Sequence, residues 1–116
     1  MLDITAIGEI LIDLTQTGVN EARVPVLAAN PGGAPANVAV AAARLGAGTA
    51  FIGKVGADGF GAYLTGVLRE NGVDVSGLRT GEAATTMAIV SVDASGERDF
   101  RFVRGADADQ IGRAHV

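Results

Sequence analysis

The sequence has no cysteine and no tryptophan, and its only histidine is His115, one residue from the end. Without cysteine, the chain cannot form a disulfide framework, a thiolate zinc site or a cysteine nucleophile. A single histidine excludes a multi-histidine metal site and a catalytic triad that uses a histidine base. Carboxylates, amides, hydroxyls and backbone groups are therefore the chemistry available to a functional site.

Positive charge is also scarce, with 9 Lys and Arg against 13 Asp and Glu and a net charge of −4. The densest basic group is Arg98, Arg101 and Arg104, which acidic and aromatic residues interrupt. We therefore expect no nucleic-acid partner. No apolar run reaches the ~18 residues of a membrane helix, and the chain does not begin like a signal peptide. These features predict a soluble, cytoplasmic chain with no membrane partner.

Small residues are abundant instead, with 21 Ala and 17 Gly among 116 residues. Such a composition favours helices packed closely on strands over a core built around large aromatic side chains. The length suits one small domain, and a core this light raises the question of whether the chain is the front part of a larger protein.

Strands and helices alternate along the first 80 residues. The pattern predicts a strand buried on both faces over 3–14, a loop with one short exposed strand over 15–30, a helix entered at Pro35 and ended by Gly46, a strand over 49–55, and a second helix capped by Asp58. Strand, helix, strand and helix at this spacing predict an α/β fold built on βαβ units.

The character of the sequence changes after Thr80. The runs 86–92 and 98–103 are rich in β-forming residues, and 93–97 has the composition of a hairpin turn. Within the second run, Phe100 and Phe102 alternate with polar or smaller residues, so the two rings share a face. A hairpin of this kind is typical of a lid, and the same face would also suit a contact between two subunits.

Two features are candidates for ligand binding. Gly32 and Gly33 precede a helix, where the backbone can approach a ligand and free N–H groups can donate to its oxygens. Asn37, on the first turn, both donates and accepts, as a polyhydroxylated ligand does. Asp13 lies in an apolar run, where a carboxylate needs a partner. The alternatives are a plain loop-to-helix turn and an Asp13 that starts a loop after Leu11.

The glycine-rich segment 53–59 does not predict a nucleotide site. It is not a P-loop, because Lys54 precedes the second glycine, and its glycines are spaced by three rather than as GxGxxG. We predict a structural turn there, with Lys54 as a solvated surface charge.

The segment 32–39, Gly-Gly-Ala-Pro-Ala-Asn-Val-Ala, followed by Gly46 and Gly56, resembles the N-terminal signature of the PfkB/ribokinase-like carbohydrate kinase family, and within it of the fructokinases. The segments 8–13, 56–61 and 96–100 are also similar to fructokinase segments, and the resemblance covers residues 3 to about 109. It implies that residues 1–110 form the N-terminal part of a ribokinase-like three-layer α/β/α domain. A small β lid would come from strands at approximately 15–30 and 84–104.

The resemblance implies a sugar kinase, which transfers the γ-phosphoryl group of ATP to a sugar hydroxyl with the help of Mg²⁺. The substrate-binding positions carried over from the family are Asp13, Gly32, Gly33, Asn37, Phe100, Phe102 and Arg104. The first four would bind sugar hydroxyls, the two phenylalanines would close over the sugar, and the arginine lies where some members contact it.

One part of the family pattern is missing. The family's general-base aspartate, its anion-hole glycines and most of its ATP contacts belong to a second signature, and nothing after Asp109 resembles it. We therefore expect a fragment that is inactive alone, with no catalytic residue, no metal site and no strong binding of ATP or Mg²⁺. Residues 111–116 resemble no family segment and are similar to a translated sequencing adapter, so we expect an artefact there.

Three alternatives to a fructokinase fragment remain. A 2-keto-3-deoxygluconate kinase shares much of the same pattern and would differ in its substrate. A non-catalytic sugar-binding or dimerisation module would keep the lid and bind without turnover, with a homodimer formed through the lid. A dinucleotide-binding half-domain is disfavoured by the glycine spacing.

Overall fold

The computed structural model describes residues 1–106, which form two sheets and two helices. The strands, β1 to β7 in chain order, are Ile4–Ile7, Leu11–Val19, Pro25–Gly32, Thr49–Gly56, Leu78–Gly81, Met87–Val92 and Arg98–Val103, and the helices are α1, Ala34–Arg44, and α2, Gly59–Glu70. The predicted tail over 111–116 lies outside the described residues. Neither helix of this part of the chain is long and apolar enough to cross a membrane.

The main sheet contains β1, β4 and β5 in that spatial order, with all pairs parallel. Helix α1 precedes β4 and α2 follows it, as βαβ units require. Both helices pack on one face of the sheet, where Phe51 and Val55 of β4 meet Leu64 and Leu68 of α2. The buried apolar cluster consists of Ile10, Ile12, Ala36, Ala39, Phe51, Val55, Leu64, Leu68 and Val73. The predicted α/β class is confirmed.

The second sheet, which we call the lid sheet, contains β3, β2, β6 and β7 in that spatial order. Strands β2 and β3 pair antiparallel, β2 and β6 parallel, and β6 and β7 antiparallel. The predicted hairpin after Thr80 is confirmed. At its tip, the Asp93 carboxylate accepts hydrogen bonds from the N–H groups of Ser95 and Glu97, at 2.9 and 3.0 Å.

The helix boundaries follow the predicted signals. Pro35 lies in the first turn of α1, where a missing N–H breaks no hydrogen bond, and Gly46 follows the last turn with φ at +96°. Asp58 caps α2, because its carboxylate accepts a hydrogen bond from the N–H of Gly61 at 2.8 Å.

The single strand predicted over 3–14 is wrong. The chain turns at Gly8 and leaves the main sheet, so β1 belongs to one sheet and β2 to the other. Both strands are apolar, and composition alone therefore does not separate them. The interpretation of 15–30 as a loop with one short exposed strand is also wrong, because β2 and β3 pair along most of that length as a long hairpin. The family resemblance, by contrast, implies lid strands at approximately 15–30.

The prediction of Lys54 as a solvated charge is wrong as well. Lys54 is 4% exposed, on a central strand whose other residues are buried or half-buried. Its aliphatic stem lies over Gly81 of the neighbouring strand, where an added Cβ would come 2.5 Å from Lys54 Cε. A long apolar stem can be buried along a sheet in this way, and a charge in the sequence does not reveal it.

Candidate functional site

Asp13 lies on β2, in the interior of the lid sheet, between the strands that carry the other candidate residues. It is directly opposite Asn30 of β3 on one side and Ala88 of β6 on the other. Residues directly opposite each other in a sheet place their side chains on the same face. The Asp13 carboxylate therefore shares its face with Asn30, and this face contains the candidate site.

The Asp13 carboxylate lies directly over the backbone of Gly32. A Cβ added to Gly32 would overlap Asp13 Oδ2 and would come 2.9 Å from Leu11 Cδ1. Any larger residue at position 32 would therefore displace the carboxylate. The two glycines predicted to approach a ligand thus have separate tasks, and the first provides space for the acid.

Burial disfavours the ionised form of the Asp13 side chain. The side chain is half-buried, and burial raises the pKa of its carboxyl group. Among residues 1–106, none donates a hydrogen bond to this carboxylate. A partly desolvated acceptor without a donor is suited to the hydroxyl groups of a ligand.

Gly33 places the start of α1 beside this acid. Its φ is +101°, and an added Cβ would come 2.5 Å from the carbonyl oxygen of Glu9 and 3.0 Å from Ile10 Cα. Only glycine combines this conformation with so close a contact. Gly33 is also the N-cap of α1 and provides no side-chain cap, so the helix start presents backbone N–H groups.

Asn37 lies on the first turn of α1, and its N–H donates to the carbonyl of Gly33 at 3.0 Å. Its side chain is exposed and makes no hydrogen bond within residues 1–106. The position is compatible with the predicted role toward a hydroxylated ligand.

The two lid phenylalanines lie on the same face as Asp13. Ala88 pairs with both Asp13 and Phe102, so these three residues form one row across the sheet. Phe100 belongs to the next row, opposite Val90. Two strand spacings, roughly 10 Å, separate the backbones of Asp13 and Phe102. The rings are 51% and 52% exposed, which leaves them available to a ligand or a second subunit.

Arg104 follows β7, and its guanidinium lies 5.5 Å from the centroid of the Phe102 ring, a cation–π distance. The structure therefore places a cation at one end of the row that contains Asp13. Asn30, at the other end, was not among the residues singled out from the sequence. The signal that would have identified it is the register of the β2–β3 hairpin, and 15–30 was predicted as mostly loop.

The segment 56–61 offers no cradle for phosphate groups. The N–H of Gly56 donates to the Thr85 hydroxyl at 3.0 Å, and the N–H of Gly61 donates to the Asp58 carboxylate. These backbone donors are already occupied, and a negative charge lies beside them. Among residues 1–106, no group of three His, Cys, Asp or Glu side chains is arranged to hold a metal ion. In segment 56–61, the N–H groups of Gly56 and Gly61 are therefore not available to a phosphate group.

The whole of this chain, residues 1–116, matches the model of the pfkB family carbohydrate kinases. The chain belongs to this family. It is 49% identical over 111 residues to "Fructokinase-1" of Oryza sativa subsp. japonica, covering 93% of this chain and 34% of that protein. It is 48% identical over 113 residues to "Probable fructokinase-3" of Arabidopsis thaliana, covering 95% and 33%.

Solved structures of the family have the same fold. The crystal structure of fructokinase from Xylella fastidiosa superposes with a TM-score of 0.81 at 45% identity, covering 87% of this chain and 32% of that chain. A putative ribokinase II from E. coli superposes with a TM-score of 0.82 at 31% identity, covering 95% and 37%. The predicted ribokinase-like fold is confirmed. The chain spans about a third of the length of the curated relatives that it matches.

Proposed function

We propose that this chain supplies the sugar-binding half and the lid of an ATP-dependent, fructokinase-like sugar kinase that acts in the cytoplasm. The observation that supports the proposal best is the Asp13 carboxylate over Gly32, half-buried and without a donor among residues 1–106. An acceptor in this state, beside the start of a helix, suits a ligand whose hydroxyl groups donate and accept hydrogen bonds. The family of the chain makes a sugar the natural choice.

Each predicted residue has a distinct task in this proposal. Asp13 accepts hydrogen bonds from sugar hydroxyls and orients the ring. Gly32 leaves room for the Asp13 carboxylate, and Gly33 allows the turn that brings the start of α1 to the sugar, where its N–H groups donate to the ring's oxygens. Asn37 both donates and accepts on the first turn.

The lid would cover the bound sugar. Phe100 and Phe102 would close over the ring and exclude water, and Arg104 would contact its edge. Exclusion of water favours transfer to the sugar over hydrolysis of ATP.

Phosphoryl transfer needs groups that we do not assign to this chain. ATP, together with Mg²⁺, would supply the γ-phosphoryl group, and one relative is described with bound ATP. We assign neither the general base nor the ATP site to residues 1–106, because the family resemblance places both in a second signature that this chain does not match. The N–H groups of Gly56 and Gly61 are also occupied within the fold. We therefore propose that the chain binds sugar without phosphorylating it.

Calorimetry and a coupled kinase assay test the two parts of this proposal. D-fructose should bind the purified chain, and Asp13→Asn should weaken the binding by about tenfold or more, because a charge-assisted hydrogen bond is lost. ATP and fructose together should give no turnover. A chain that binds no sugar contradicts the first part, and clear turnover contradicts the second.

Arg104 supports a second candidate, a 2-keto-3-deoxygluconate kinase. This substrate carries a carboxylate, and a guanidinium beside an aromatic ring suits a planar anion. A titration with fructose and with 2-keto-3-deoxygluconate distinguishes the candidates. Tighter binding of 2-keto-3-deoxygluconate that is lost in Arg104→Gln favours the 2-keto-3-deoxygluconate kinase. Tighter binding of fructose that Arg104→Gln does not change favours the fructokinase.

A further inference from the structure

Asn30 occupies a position on the lid sheet that matches the best candidate ligand residue. It lies directly opposite Asp13 in the β2–β3 pair, and Gly32, two residues further along β3, lies opposite Leu11. An added Cβ on Gly32 would contact both Leu11 and Asp13, which fixes the face to which this row of side chains points. Asn30, two residues before Gly32, points to the same face.

The surroundings of Asn30 give it no structural task. Its side chain is exposed and makes no hydrogen bond within residues 1–106. Its neighbours on β3 are Ala29 and Pro31, and the backbone pairing of the hairpin does not depend on the carboxamide. Asn20 differs in this respect, because its side chain stabilises a turn by accepting hydrogen bonds from the N–H groups of Ala22 and Val24.

Asn30 and Asp13 are chemically complementary toward a sugar. Opposite residues in an antiparallel pair have Cβ atoms about 4.5–5.5 Å apart, so both groups can reach neighbouring hydroxyls of one ring. A carboxylate only accepts hydrogen bonds, whereas a carboxamide both donates and accepts. Together they can bind one hydroxyl that donates to Asp13 and another that exchanges a hydrogen bond with Asn30.

We propose that Asn30 is a further substrate-contacting residue, which pairs with Asp13 to bind two hydroxyl groups of the sugar and thereby contributes to the choice of sugar. This inference rests on the proposed function, because it assigns a second side chain to the same sugar site. It concerns recognition alone and assigns Asn30 no part in phosphoryl transfer.

The test is a titration of the full chain with D-fructose and with its 1-, 3-, 4- and 6-deoxy analogues, in which NMR or calorimetry measures the binding. Asn30→Ala should weaken fructose binding about three- to tenfold, the effect of one lost hydrogen bond. The wild type should also bind one of the deoxy analogues more weakly than fructose, and the variant should no longer distinguish that analogue. A merely structural role would lower the affinity for every sugar equally.

The matched control is Gln16→Ala, which removes a carboxamide from the opposite face of the same sheet and should leave the affinity unchanged. Asn30→Asp places two carboxylates opposite each other and should bind fructose more weakly than Asn30→Ala does at neutral pH.

The outcomes separate the two proposals. Wild-type affinity in Asn30→Ala, or an equal loss for fructose and all analogues, overturns the role of Asn30. If Asp13→Asn still loses binding, the sugar site itself stands. A wild-type chain that binds none of these sugars overturns both the site and the role of Asn30.

Discussion

Asp13 is a residue whose ionised form destabilises the fold that holds it. Burial raises the pKa of its carboxyl group above the ordinary value in the unfolded chain. The unfolded chain therefore releases this proton at lower pH than the folded chain does. The contribution of Asp13 to the free energy of unfolding decreases as the pH rises through the ordinary value, and the decrease is complete above the raised pKa.

Asp13→Asn should consequently have opposite effects on stability and on binding. At neutral pH the variant should unfold at a slightly higher temperature than the wild type, because no charge is desolvated. It should lose sugar affinity in the same buffer. Thermal unfolding from about pH 3 to pH 7 measures the first effect, and the difference in melting temperature should disappear at the acid end. A variant less stable than the wild type at neutral pH contradicts this account.

Gly33 is required by conformation as well as by space. Gly33→Ala combines an unfavourable φ with a contact to the Glu9 carbonyl and should destabilise the chain by about 2 kcal/mol or more. The control is Gly66→Ala on α2, where an added Cβ meets nothing within 4 Å and the change should stabilise by about 0.5–1 kcal/mol. Urea denaturation measures both, and equal effects would contradict the role of Gly33.

At the scale of elements, Asp58 joins the second helix to Thr85, in the segment that leads into β6 of the lid sheet. Its carboxylate caps α2 and also accepts hydrogen bonds from the N–H and the hydroxyl of Thr85, at 2.9 and 2.7 Å. Desolvation alone would raise the pKa of Asp58, but the hydrogen bonds from Thr85 and Gly61 lower it below its ordinary value. The folded chain therefore gains stability from Asp58 above the ordinary pKa and loses it as the pH falls through the lowered one.

This contribution predicts an acid-sensitive junction. Asp58→Ala should lower the free energy of unfolding at neutral pH by about 2 kcal/mol or more, since it removes the helix cap and leaves the buried Thr85 donors unpaired. The difference from the wild type should shrink below about pH 4. Asp58→Asn keeps an effective cap, so its free energy of unfolding should lie between those of Asp58→Ala and the wild type. Circular dichroism melts across this pH range give the comparison. A constant difference at every pH would show that the charge of Asp58 contributes nothing.

The elements differ in how far the sequence predicts them. The helices and the second hairpin have local signals, namely Pro35, the Asp58 cap and the turn at 93–97, and all were predicted. The change of sheet between β1 and β2 depends on long-range packing of the two sheets. The local sequence signal for it is Gly8. The β2–β3 pairing has weaker local signals, because the second half of β2 and most of β3 are exposed and show no regular apolar alternation. Asn30 is identified only through the register of that pairing.

At the scale of the whole molecule, the lid presents aromatic side chains on a surface. Phe100 and Phe102 are about half exposed on the face that contains Asp13. Either a bound sugar or a second lid would bury them. We propose that the lids of two chains pair in solution when no sugar is bound, so that pairing competes with closure over the sugar.

Phe100→Ser combined with Phe102→Ser should therefore convert a dimer into a monomer while changing stability little, because neither ring is part of the core. Light scattering over a range of concentrations measures the mass. Leu45→Ser, which alters an 89% exposed side chain after α1, is the control and should stay dimeric. A wild-type chain that is monomeric at every concentration contradicts pairing and leaves the rings to the sugar alone.

The parallel pairing of β2 with β6 also has a consequence for folding. Ile12 is paired with Met87, about 75 residues further along the chain. The chain between them contains α1, β4 and α2. Because closing so long a loop costs more conformational entropy than local pairing does, we expect this contact to form after the helices and hairpins. On this expectation, Asp13 and the lid phenylalanines come together only after the intervening chain has folded. The proposed sugar affinity should then appear in the last step of refolding.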